Sequence, residues 1–231
     1  MAEEADNIFQ SPEMLDPCSV NTEDRMIETY LIEYRYEFAY KLFQKGDVLD
    51  IGSGPGLGAS YLQKKGGIRC FGIDHTLDAV NVSKGRYPSL SFVLGDAEEL
   101  PYPSETFHAI TAMELIEHVK DPQRFLSEVR RVLAYNGLIV VSTPNYKIMG
   151  DPQNHPFHLR HYKVDELISE FQSAGFAVER IEGFYWQIPH LPREILIRLH
   201  NVSWSIKFLC HIVRNTPQHA KYILLAARKV N

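Results

Sequence analysis

From residue 46 onward the apolar positions fall into short runs, separated by stretches whose apolar residues return at helical spacing. Runs over 47–51, 68–73, 90–94, 107–113 and 137–143 predict strands, and 56–65, 77–86 and 121–134 predict helices between them. Strands of this kind alternating with helices predict an α/β fold, a parallel sheet covered on both faces. Upstream, Met26, Tyr30, Leu31, Tyr34, Phe38 and Leu42 recur at three- and four-residue intervals, which predicts a helix from Thr22 to about Gln44 packed by one face. Downstream come a Pro- and His-containing loop over 144–162, a helix over 163–174, a strand over 176–183, an apolar helix or helix pair over 191–214, and a last strand over 220–229. Residues 1–21 are polar and aperiodic, with Pro12 and Pro17, and read as a flexible arm.

Composition narrows the class without deciding it. The 231 residues, 45% hydrophobic and 23% charged, suffice for one large core. A formal net charge of −5 and a pI near 6.1 argue against broad electrostatic binding of nucleic acid, which needs clustered Lys and Arg. Cys18, Cys70 and Cys210 are dispersed and odd in number, so neither a disulfide framework nor a Cys-x-x-Cys metal site is indicated. The acidic start, Met1 to Asp6, does not resemble a signal peptide, and there is no apolar run long enough for a transmembrane segment. A cytoplasmic location is expected.

The chemistry gathers at the ends of the predicted strands. Val48-Leu49-Asp50-Ile51 runs into a turn with four glycines in seven residues, Gly52 to Gly58, and then into a helix. Such a turn brings backbone N–H groups and a helix N-terminus against a ligand. Asp74, Asp96 and the Glu114–His118 segment each follow a later strand, so the fold places them on the same rim, where α/β sheets bind ligands. Gly54-x-Gly56-x-x-Ala59 followed by Asp74 also mimics a dinucleotide fingerprint, so NAD is weighed. Asp50 beside the turn suits a cationic ligand better than a pyrophosphate, and Asp96 supplies an acceptor suited to an adenine amino group.

Val48 to Gly58, Gly72-Ile73-Asp74, Gly95 to Pro101, Met113 to Val119 and Gly137 to Asn145 together resemble the ordered motifs of class I S-adenosylmethionine-dependent methyltransferases. The nearest-looking group acts on small molecules such as quinone precursors, sugars and natural products. The resemblance covers about residues 46–184 and implies a Rossmann-like three-layer sandwich whose seven-stranded, mostly parallel sheet has an antiparallel last strand. It implies one methyltransferase domain over 22–231 with S-adenosylmethionine as cofactor, and an inserted helical lid at about 185–215. Asp50, Gly52, Ser53, Gly54 and Gly56 then surround the methionine end, Asp74 the ribose, Asp96 and Ala97 the adenine, with Met113 beside it. Arg35, in Tyr34-Arg35-Tyr36, is a candidate fork for the methionine carboxylate.

If residues 114–118 form a helical turn, Glu114, Glu117 and His118 share one face. His118 is the first candidate base, with Glu117 and His158 as the other candidate catalytic residues. Glu-x-x-Glu-His also resembles the metal motif of small-RNA 2′-O-methyltransferases and of some quinone-pathway enzymes, where a distal His completes the site; His155, His158 or His161 could supply it. Because Glu-His at this place equally resembles metal-free small-molecule methyltransferases, no metal ligand is assigned. The loop Asn154 to Tyr162 resembles one that closes over the acceptor, with His158 facing the site. Residues 191–214 read as a lid, a homodimer surface or a weak contact with a lipid interface. The expected function is methyl transfer to a small-molecule acceptor, oxygen slightly ahead of carbon or nitrogen; a metal-assisted RNA 2′-O-methyltransferase and a non-catalytic cofactor-binding protein are the alternatives.

Overall fold

A computed structural model describes residues 22–43, 45–152, 157–184 and 217–230. The arm over 1–21, the lid over 185–215 and His155 lie outside the described residues, as do the side chains of residues 22–28 and 30.

The elements are α1 (Thr22–Phe43), β1 (Gly46–Ile51), α2 (Leu57–Lys65), β2 (Ile68–Asp74), α3 (Leu77–Arg86), β3 (Ser91–Leu94), β4 (Phe107–Met113) and α4 (Pro122–Val132). They continue with β5 (Leu133–Pro144), α5 (Tyr146–Met149), α6 (Val164–Ser173), β6 (Phe176–Phe184), a 3-10 turn (Pro217–His219) and β7 (Tyr222–Lys229). The seven strands form one sheet in the order β3-β2-β1-β4-β5-β7-β6. Pairs from β3 through β5 are parallel, whereas β7 runs antiparallel to both β5 and β6. The antiparallel last strand is therefore present, set inside the sheet rather than at its edge.

Alternation along the strands builds the three layers. Val48, Cys70 and Ala109 face Tyr36 of α1, Ala59 and Leu62 of α2 and Val80 of α3. Leu49, Ile51, Ile110, Ile139 and Val141 face Phe125, Leu126 and Val129 of α4 and Leu167 and Phe171 of α6. The single-face expectation for α1 is too narrow. Leu31, Phe38 and Ala39 pack on Leu138, Val140, Leu224 and Ala226, while Tyr36 serves the neighbouring cluster, because α1 wedges between the sheet and α2.

Helix α4 starts where Asp121 accepts from the Arg124 N–H at 3.0 Å ahead of Pro122, an N-cap followed by proline in the first turn. It ends at Val132 rather than Ala134, and β5 begins at once. Asn136, at φ 56°, and Gly137 fall within the register shift by which β4 passes from pairing Leu133 to pairing Leu138.

Candidate functional site

The glycine turn leaves β1 at the carboxyl rim of the sheet. Gly52, Gly54 and Gly56 have φ of 69°, 50° and 83°, in the left-handed region where a Cβ is strained. The three are glycine for different local reasons. A Cβ on Gly52 would press on Leu115 and one on Gly56 on Phe92 and Tyr87, whereas one on Gly54 would meet nothing within 4 Å. The backbone over Gly54 is therefore open to a ligand.

Asp74 closes the turn from the next strand. Its Oδ2 accepts from the Gly54 N–H at 2.8 Å, and its Oδ1 accepts from the Thr76 N–H at 2.9 Å and the Thr76 hydroxyl at 2.7 Å. Thr76 was not singled out in the sequence, although an acid two residues ahead of a Thr is a recognisable local turn signal. Asp96 is exposed and accepts from the Glu98 N–H at 2.8 Å, Ala97 packs against the main core, and Met113 ends β4 in contact with the cluster around α1.

Asp50 needs correction as a direct contact. It points away from the rim, into the α1 layer, with 0% exposure, and its Oδ1 accepts from Tyr36 at 2.7 Å and Thr111 at 2.6 Å. Thr111 pairs with Asp50 across the sheet, which explains the contact. Burial raises the Asp50 pKa to about 7, against the pull of the Thr111 and Tyr36 hydrogen bonds. Ser53 is buried beneath the turn, its hydroxyl without a hydrogen-bond partner among the described residues.

Arg35 also turns elsewhere than expected. Its Nη2 lies 3.3 Å from Glu114 Oε2, and its guanidinium carbon stands 5.3 Å from the Phe184 ring centre and 5.0 Å from that of Tyr222. Glu114 adopts φ 50°, donates its N–H to the Ser142 carbonyl at 3.0 Å and accepts from the Ser142 hydroxyl at 2.6 Å. That left-handed step breaks the helical turn expected over 114–118. Only the Leu115 carbonyl to His118 N–H bond, 2.9 Å, remains of it, and Glu114 faces α1 instead of joining Glu117 and His118.

Glu117, His118 and His158 do come together, each offering one ligand-type atom, all within 4.8 Å of one another. Glu117 has 0% exposure and accepts from the Thr143 hydroxyl at 2.9 Å. Burial, then the Glu114 charge, push its pKa well above the usual carboxylate range, with His118 opposing them. His118 Nδ1 lies 2.8 Å from the Phe157 carbonyl. His158 Nδ1 lies 2.7 Å from His161 Nε2, and His161 Nδ1 lies 2.7 Å from the Gly150 carbonyl. The loop carrying His158 is tied down by the Leu159 N–H to the Glu117 carbonyl, 2.9 Å, and by the Tyr146 N–H to the Tyr162 carbonyl, also 2.9 Å. His161 thus supports His158 from behind.

A family model described as a methyltransferase domain matches residues 49–141, the stretch from β1 to β5 that builds this rim. Over that stretch the chain is similar to S-adenosylmethionine-dependent methyltransferases. A probable S-adenosylmethionine-dependent methyltransferase of Mycolicibacterium smegmatis is 34% identical over 142 residues, 60% of this chain and 55% of that protein. A probable chloroplastic tocopherol O-methyltransferase of Oryza sativa subsp. japonica is 36% identical over 104 residues, 42% of this chain and 28% of that protein. The chain spans about half the length of the first curated relatives it matches, 53–55%. The YcgJ protein of Bacillus subtilis shares the fold, with a TM-score of 0.65 at 19% identity over 86% of this chain and 99% of that one. S-adenosylmethionine is the cofactor of this methyltransferase family, and the open backbone at Gly54 beside Asp74 fits its approach.

Proposed function

We propose that the protein transfers a methyl group from S-adenosylmethionine to a small organic acceptor, an oxygen ahead of nitrogen or carbon. The observation that carries this reading is the convergence, on one rim, of the open Gly54–Asp74 cradle with the Glu117–His118–His158 cluster one strand away. The bound cofactor supplies a methyl group already activated on a sulfonium. The Gly52–Gly56 turn gives it close backbone approach, Asp74 accepts from its ribose, and Asp96, Ala97 and Met113 line the adenine side. Asp50, Tyr36 and Thr111 act beneath the turn as positioning residues. Arg35 and Glu114 form a paired wall between the cofactor and α1.

The acceptor rests against His118 and His158. Because a carbonyl oxygen only accepts, His118 Nδ1 carries a proton toward Phe157, so the role of base falls to Nε2. A base so placed contributes about 10²–10⁴-fold, and alignment of the reactants a further share of the barrier. A cytoplasmic location belongs to the same proposal and rests on the three dispersed cysteines. Among the described residues no helix is long and apolar enough to cross a membrane.

Calorimetric titration of the full chain with S-adenosylmethionine, followed by an acceptor screen reading S-adenosylhomocysteine release, tests the proposal. Asp74→Ala and Gly54→Val are expected to weaken cofactor binding at least tenfold while the fold persists. Absence of any cofactor affinity in the unaltered protein overturns the reading, and binding without turnover on any acceptor favours the non-catalytic alternative.

A further inference from the structure

The segment 114–121 between β4 and α4 carries His118, and its backbone is held from two sides. On one side stands the loop that carries His158. Its Leu159 N–H donates to the Glu117 carbonyl at 2.9 Å, and Arg160 Nη2 donates to the Lys120 carbonyl, also at 2.9 Å. On the other side stands Glu98, in the loop after β3. Its Oε1 accepts from the Lys120 N–H at 2.7 Å and from the Asp121 N–H at 3.3 Å. The Glu98 N–H in turn donates to Asp96 Oδ1 at 2.8 Å, so a single residue joins Asp96 to the His118 segment.

The start of α4 is built to need this contact. Asp121 is the N-cap, and in a reciprocal cap an acid three residues on reaches back to the N-cap N–H. That position holds Arg124, which has no acceptor to offer and donates its Nε to the Glu98 carbonyl at 3.0 Å instead. Glu98 supplies the missing acceptor from 23 residues upstream. Its neighbour Glu99 does nothing comparable: that side chain is 82% exposed and lies 3.4 Å from Arg124 Nη2. Hydrogen bonds from backbone N–H groups to a carboxylate are stronger and more directed than neutral ones, so the Glu98 link is stiff.

We propose that Glu98 is a positioning residue for methyl transfer, tying the adenine end of the cofactor site to the segment that presents His118. The proposal rests on the reading above that Asp96 and Ala97 line the adenine. Adenine held there fixes the turn over 96–98, the turn fixes the Glu98 carboxylate, and the carboxylate fixes the Lys120 and Asp121 amides. From Lys120 the link runs on through Arg160 to the loop of His158. By linkage, whatever the bound cofactor adds to these contacts, the contacts return as cofactor affinity.

The test is backbone hydrogen exchange of the full chain, with and without saturating S-adenosylhomocysteine. In the unaltered protein the ligand should slow exchange at the Lys120 and Asp121 amides about 5-fold or more. Glu98→Ala should abolish that response while the ligand still protects Gly54 and Thr76, and it should weaken ligand binding by a similar factor. Glu98→Gln, which keeps an acceptor oxygen without the charge, should fall between the two, and Glu99→Ala should match the unaltered protein. Circular dichroism checks that the variants fold, and Glu98→Gln carries the test should Glu98→Ala fail to. A merely structural cap would lower Tm in Glu98→Ala and leave the ligand response at Lys120 and Asp121 intact, which would overturn the proposal. So would ligand binding to the unaltered protein with no response at those two amides. Absence of ligand binding to the unaltered protein is a separate result: it defeats the cofactor reading, and the link with it.

Discussion

At the scale of single residues, burial decides what each acid does. Asp74 and Asp50 lie near the ends of adjacent strands, yet Asp74 binds the glycine turn at the rim while Asp50 is sealed beneath it. For a carboxyl whose pKa rises on folding, the native state keeps a proton that the unfolded chain has lost. Its stabilising contribution is complete below pH 3.8 and fades as pH rises through about 7. The slope is about 1.4 kcal/mol per pH unit in that window. Asp50→Asn keeps an Oδ1 acceptor for Tyr36 and Thr111 but cannot ionise. It should be more stable than the unaltered protein at pH 8 and show a shallower decline between pH 4 and 7, the residual slope belonging in part to Glu117. Urea denaturation across that range measures this; superimposable stability profiles would sink the assignment.

At the scale of elements, the contact between α1 and α2 is the most sterically exacting. A Cβ on Gly58 would overlap the Tyr36 ring, the same side chain whose hydroxyl holds Asp50. Gly58→Ala should cost about 1–3 kcal/mol, as overpacking does. Combined with Tyr36→Ala it should cost less than the sum of the two single changes, since removing the ring removes the clash. Additive losses in a double-mutant cycle would show that the helices do not meet through this pair. This contact was invisible in the sequence because Gly58 read only as part of a ligand turn. The strands and their order along the chain were legible, since both-face burial writes itself as continuous apolar runs such as Ile139 to Val141. The union of Glu117, His118 and His158 was legible in outline from their spacing and the rim rule. What escaped was direction. The left-handed step at Glu114 sends that carboxylate to Arg35, and alternation along β1 turns Asp50 inward, and both depend on contacts far along the chain.

At the scale of the whole molecule, the parallel strands deliver their carboxyl ends to one rim, and ligand binding there should be felt by the entire fold. S-adenosylhomocysteine at about 100 times its dissociation constant adds about 2.7 kcal/mol to stability. For a chain of this size that corresponds to a rise of about 5–10 °C in Tm. Thermal unfolding with and without the ligand measures it, and an unchanged Tm at saturation would contradict binding to the native state.

The place of β7 has a temporal meaning. Strands β5 and β6 emerge from the ribosome before the strand that must lie between them, so the sheet stays split until Tyr222–Lys229 arrives. Arrival also brings the Tyr222 ring under Arg35 and against Phe184, and the Pro217 and Ala220 carbonyls to the Asn145 side chain at 3.0 and 2.8 Å. Those contacts brace Glu114 and the segment leading to Gly150. A nascent chain can therefore build the Gly54–Asp74 side of the rim early, while the side formed by Glu114 and Asn145 gains its bracing only once Tyr222–Lys229 has been made.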